Sequence, residues 1–256
     1  MKTLLALFFV LTSYSAVAAG PGTKVKQLQR WILESISEMP QQGGYELSLA
    51  PANKLRDAFS WEAEFLFVDP SLAQPSYCTT ATYLIFYKTL EKYWESTNSF
   101  PETAVLEKLK PNLEDDGFLI WGRWNANGPG TAKLFFDAKL GKNFDDIKLA
   151  KAGDFLKIYW NDQVGKFEKG HTVIFLREEV VAGVPMIRFW GSSKSTFGYG
   201  EKLIPKSDAI RMLFSRLEFP ENISLIKSLP EEDAFLASML TKVSNWSQVK
   251  KVSGMR

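Results

Sequence analysis

Among 256 residues there is one cysteine, Cys78, and one histidine, His171. Together they have the chemistry of a nucleophile and its base. A thiolate attacks carbonyl carbon readily, and an imidazole titrating near neutrality is suited to take the thiol proton and return it to a leaving group. A lone cysteine has no partner for an intrachain disulfide, and outside the cytoplasm an idle thiol is an oxidation liability. The first 19 residues make that compartment relevant, because they read as an export signal. Lys2 is a short positive region, Leu4 to Leu11 an apolar run too short to span a bilayer, and Ser15 to Ala19 small residues fit for cleavage.

The residues around Cys78 predict a helix that begins at the thiol. Pro75-Ser76-Tyr77 is turn-like, and from Thr79 to Trp94 the apolar residues Tyr83, Phe86, Tyr87, Leu90 and Trp94 recur with helical spacing. At a helix N-terminus the macrodipole and the free backbone N–H groups stabilise a thiolate. The same N–H groups can bind the oxyanion that forms when the thiolate attacks. The competing reading is a small core hydrophobe, since free cysteine is among the most buried residue types. His171 opens an apolar, β-branched run, Thr172-Val173-Ile174-Phe175-Leu176, that reads as a central strand. A histidine there is held by the sheet yet lies at its end; the competing reading is a hydrogen-bonded structural histidine. A third position comes from the end of the next strand, Phe189-Trp190-Gly191-Ser192-Ser193-Lys194. Ser193, or Ser192, is the candidate to orient the imidazole, against the alternative of ordinary turn chemistry.

Tyr77-Cys78 opening a helix, Gly153-Asp154-Phe155-Leu156 entering a strand, and Gly170-His171 leading an apolar strand resemble the papain-like cell-wall hydrolases, of the NlpC or CHAP type. The resemblance spans about half of the chain, from Pro75 to Gly200. It implies a cysteine peptidase or amidase acting on the peptide stems of peptidoglycan, with no cofactor and no metal. Three features depart from the family pattern. Thr79-Thr80 follows the cysteine where small residues are usual, the segment from Cys78 to Gly153 is long, and serine stands where the third catalytic residue is usually His, Asn or Gln. A thiol acyltransferase, or a catalytically silent wall-binding or partner-binding module on the same fold, are the alternative functions.

The elements that must hold these residues follow from periodicity and punctuation. Val25 to Met39 and Pro51 to Phe59 read as helices, and Pro101 to Leu106 as the start of another. Phe155 to Trp160, His171 to Leu176 and Met186 to Trp190 read as three strands of an antiparallel meander, the last two joined at Ala182-Gly183. Ser207 to Leu217 and Glu231 to Lys250 read as helices. The expectation is an α+β fold: a papain-like core over residues 71–205 with an insertion around 95–150. A helical segment over 20–70 precedes it, and C-terminal helices over 206–256 follow. A segment with site-like chemistry, Trp121 to Gly130, carries Trp124, Asn125 and Asn127. With Tyr77 and Trp190 these are the candidate substrate-binding residues, aromatic faces and amides being suited to peptide or sugar. For each the alternative is a packing role.

Charge and composition narrow the partners. Without Lys2 the basic count falls from 31 to 30 against 29 acidic residues, a net charge of +1 with no strong basic cluster, which argues against a nucleic-acid binder. No run past the signal approaches the length of a transmembrane helix. One His and one Cys do not make a usual zinc site, and neither a phosphate loop nor a Gly-x-Ser-x-Gly elbow is present. The sequence therefore predicts an exported protein, periplasmic or secreted, whose partner is peptidoglycan or another peptide; it leaves the oligomeric state open.

Overall fold

The computed structural model describes residues 21–111, 127–230 and 233–255. Within them a seven-stranded antiparallel sheet is packed against a long buried helix. Its strand order is β1-β9-β8-β7-β5-β10-β4. The strands are β1 (Gln42–Gly43), β4 (Gly141–Phe144), β5 (Phe155–Tyr159), β7 (Gly170–Val181), β8 (Val184–Ser193), β9 (Gly198–Pro205) and β10 (Arg211–Leu217). Two small ladders lie outside it: β2 (Phe59–Glu62) with β3 (Phe65–Val68), and β6 (Val164–Gly165) with β11 (Val243–Ser244). The expected α+β class and the meander of β5, β7 and β8 are both present. The turn between β7 and β8 uses two positive-φ residues, Ala182 (φ 50) and Gly183 (φ 80), which match the twist of a two-residue hairpin.

Helix α3, Cys78–Thr97, is the centre of the fold. Tyr83, Leu84, Ile85, Phe86 and Tyr87 are all essentially inaccessible, as an all-round apolar helix requires. One side meets β7 and β8; another meets α1 (Pro21–Ser37), which contributes the buried Leu28 and Ile32. Lys88 and Lys92 of α3 reach Glu38, at 3.3 and 2.5 Å, just past the end of α1. The start of α3 is closed by Thr80, whose Oγ1 accepts from the Tyr77 N–H at 3.0 Å and donates to the Tyr77 carbonyl at 2.8 Å. The threonines after the cysteine thus have a local reason: one of them caps the helix that carries it. At the other end Asn98 adopts the left-handed conformation common at helix C-termini.

The sheet buries both faces. Phe155, Ile174 and Trp190 face the α3 side, while Leu156, Val173, Phe175, Phe189 and Phe214 form a second cluster with Ile147 and Ala209. Near its centre, Asp154 accepts from Arg216 Nε and Nη2 at 2.8 and 2.6 Å and from the Lys151 N–H at 2.8 Å. Arg216 Nη2 also donates to the Leu149 carbonyl at 2.6 Å. The Gly153-Asp154 pair that the sequence singled out is therefore a buried clamp between β10 and the entry to β5.

Three expectations are corrected. Ser207 to Leu217 is a strand over its second half, β10, and not a helix. Both of its faces are covered and the buried Arg216 is answered by Asp154, so neither alternation nor charge marks it as a strand. The stretch from 233 onward is broken. Helix α6, Ala234–Ser238, is capped by Asp233, and β11 then pairs with β6. Asn245 starts α7, Trp246–Val252, by accepting from the Gln248 N–H at 3.0 Å. The segment over 20–70 is not purely helical: besides α2 (Ala50–Asp57) it holds the β2–β3 hairpin and β1, which pairs with β9 at one edge of the main sheet. The expected insertion likewise supplies α4 (Thr103–Leu109), α5 (Gly130–Asp137) and the other edge strand, β4. No helix among the described residues is long and apolar enough to cross a membrane.

Candidate active site

Cys78 is the first residue of α3, and the segment that delivers it is fastened to the sheet. The Tyr199 hydroxyl donates to the Ala73 carbonyl at 2.5 Å, and the Ser76 hydroxyl donates to Ser192 Oγ at 2.8 Å in a buried contact. The Ser76 N–H donates to Gly44 and its carbonyl accepts from the Glu46 N–H, which holds the chain after β1 alongside. Pairing between β7 and β8 runs only as far as Ile174↔Trp190, whereas β5 and β7 remain paired to Tyr159↔Gly170. The first residues of β7 thus extend beyond the ladder with β8, and Cys78 meets them there.

The Cys78 sulfur faces the His171 side chain and the Thr172 backbone N–H, with the Lys157 ammonium close enough to be felt. Burial by itself would push the thiol up, since only 4% of the residue is exposed. The hydrogen bond and charge of His171, then the Thr172 N–H and the Lys157 charge, outweigh it and bring the thiol down to about 6. The helix start adds its own field in the same direction. His171 lies between two aromatic rings: Trp160 is stacked at 6.4 Å between centroids, and Phe189 meets it edge-on at 5.8 Å. Its Nε2 is buried without a hydrogen-bond partner among the described residues. The geometry thus joins a nucleophile and a base, with no acceptor for Nε2 among the described residues; packing between the rings sets the imidazole plane.

The serines are placed elsewhere. Ser193 Oγ lies 3.0 Å from Ser195 Oγ and 2.9 Å from Thr196 Oγ1, inside its own turn. Ser192 accepts from Ser76, so it positions the segment before Cys78 and not the imidazole. The reason is the early end of the β7–β8 ladder, which removes the cross-strand neighbour relation that the meander suggested. Trp190 is a core residue, stacked on Tyr199 at 5.9 Å and 4°. Tyr77 precedes the helix and packs half-buried against the main core. Trp124 and Asn125 lie outside the described residues. Asn127 is half-buried, and the N–H of the next residue, Gly128, donates to Glu168 Oε2 at 2.7 Å, which ties this loop to the neighbourhood of the site.

Two residues near the thiol had not been singled out. Tyr45, after β1, has its phenol pushed up to about 12, by burial and then by the charge of Cys78, so it faces the site as a neutral hydroxyl. Its only sequence signal is a position beside Gly43-Gly44. Lys157 is an interior lysine of β5, and a basic residue in a buried strand was the available clue. No family model, no curated protein and no solved structure matches this chain.

Proposed function

We propose that this chain is an exported cysteine hydrolase with a papain-like core, which cleaves an amide bond in the peptide stems of peptidoglycan. The observation that carries the reading is the meeting of Cys78, at the start of a buried helix, with His171 of the sheet, the thiol being held at about 6 despite its burial. In this mechanism the Cys78 thiolate adds to the amide carbonyl, and backbone N–H groups at the start of α3 receive the developing oxyanion. His171 then protonates the leaving amine and helps water resolve the acyl-enzyme, returning the thiol. The substrate class follows from the resemblance of Tyr77-Cys78, Gly153-Asp154 and Gly170-His171 to cell-wall hydrolases. The export reading of residues 1–19 agrees with it.

The test is to incubate purified protein with peptidoglycan and follow released amines and fragments by mass spectrometry, comparing wild type with Cys78→Ala. Turnover in wild type and none in a folded Cys78→Ala variant is the expected result; fragments of equal yield from both refute it. An Nε2 of His171 with no partner among the described residues and a nearly closed thiol favour one second reading, a catalytically silent wall-binding module on the same fold. That module binds peptidoglycan in a pull-down without cleaving it, and its thiol reacts only after denaturation.

A further inference from the structure

A buried ion pair lies beside the strand that carries His171. Lys157 of β5 and Glu168 meet at 2.6 Å, with side chains 4% and 0% exposed. Stripping water from two charges is costly, and an apolar pair of the same volume often holds a fold as well or better. Glu168 is fixed through its other oxygen, Oε2, which accepts from the N–H groups of Gly128 and Gly165 at 2.7 and 3.1 Å. Lys157 stands opposite Thr172 in the β5–β7 register, so the two side chains share a face, and the Thr172 N–H touches the Cys78 sulfur. The pair also lies close against the residue before the histidine. A Cβ on Gly170 would come within 2.6 Å of Lys157 Nζ and 2.8 Å of Glu168 Oε1. The titratable groups whose charge bears on Cys78 are His171 from β7, Lys157 from β5 and Tyr45 from the segment after β1.

We propose that Lys157 is a positioning residue for the nucleophile: its buried ammonium holds Cys78 as the thiolate, and Glu168 keeps that ammonium in place. The inference rests on the Cys78–His171 reading of the site and deepens it. A fixed cation held this close attracts the thiolate directly and so favours the charged form of Cys78.

The experiment follows iodoacetamide alkylation of Cys78 in the full chain against pH, for wild type, Glu168→Gln, and the double variant Lys157→Met with Glu168→Gln. The double variant replaces the ion pair by neutral groups of similar shape and leaves no orphan charge. Its alkylation midpoint should rise by about half a pH unit or more, roughly twofold less thiolate at pH 6 and roughly threefold less at pH 5. Glu168→Gln alone keeps the ammonium and should not raise the midpoint. An unchanged midpoint in the double variant, or an equal rise in both, overturns the proposal and leaves the pair a packing element. Should the double variant not fold, Lys157→Met alone gives the same comparison, because an unpaired buried Glu168 takes up a proton. Failure of the underlying Cys78–His171 reading looks different: wild type then shows no midpoint below pH 7, and His171→Ala changes nothing.

Discussion

Replacing His171 by alanine tests the site most directly, and the useful signal lies at acid pH. With the thiol at about 6, some 9% is thiolate at pH 5; an ordinary thiol near 8.5 has only about 0.03%. The populations differ by about 300-fold. Nucleophilicity falls with basicity, with a Brønsted coefficient of about 0.4–0.5, which returns roughly 10- to 20-fold of that advantage. Wild type should therefore alkylate on the order of 20-fold faster than His171→Ala at pH 5, but only about twofold faster at pH 7. Burial remains in the variant and pushes its thiol further up, so these are lower bounds. The assay is iodoacetamide incorporation by mass spectrometry from pH 4.5 to 9.5. Each variant is then scaled to its own plateau, which cancels both nucleophilicity and access to the buried sulfur, so the scaled rates at pH 5 should differ by the full population ratio of about 300-fold. Wild type should level off above pH 7, while the variant keeps rising through pH 8.5 or beyond. Superimposable scaled profiles would refute the claim that His171 sets the state of Cys78.

Other consequences follow from particular contacts. Ser193→Ala should leave the alkylation midpoint of Cys78 where it is, because that hydroxyl bonds within its own turn; a shift toward the profile of His171→Ala would show that it orients the imidazole after all. Arg216→Met leaves Asp154 buried without its counter-ion, held only by neutral donors such as the Lys151 N–H, so urea unfolding should report a loss of about 3–5 kcal/mol. A loss below about 1 kcal/mol would mean that the clamp is solvated. Gly170→Ala drives a methyl into the Lys157–Glu168 pair and should lower the thermal midpoint, whereas Gly183→Ala meets no atom within 4 Å and should show only the strain of its positive φ. Equal and small effects at the two glycines would contradict the packing described for Gly170.

Where one physical signal dominated, the sequence was legible. Helix α3 was readable because its apolar residues repeat with helical spacing, and the meander because β-branched runs stand between Gly-containing turns. The meeting of Cys78 and His171 came from chemical rarity joined to those elements. What was not legible depended on pairs distant in the chain. Strand β10 hides Arg216, whose partner Asp154 lies 62 residues away, so no local pattern marks that charge as buried. Strands β1 and β4 are too short to carry a period and exist only because β9 and β10 offer them edges. Ser192 and Ser193 were placed beside His171 by assuming a complete β7–β8 ladder, and the ladder ends at Ile174↔Trp190.

That early end is also what makes the site. Had the ladder continued, the first N–H groups of β7 would have been taken up by β8, as buried backbone groups must be. Instead the Thr172 N–H meets the Cys78 sulfur, and the start of α3 occupies the space at the end of the sheet. A cysteine serving only as core filler is cheapest as a neutral thiol, which burial alone secures. Here the start of one helix and two different strands each bring a group that favours the anion, and together they reverse the effect of burial. Lys157 is paired with a buried counter-ion, and the two side-chain ends lie where a Cβ at position 170 would be. Groups from three elements converging on one sulfur to favour its anion are what the proposed cysteine hydrolase requires of its nucleophile.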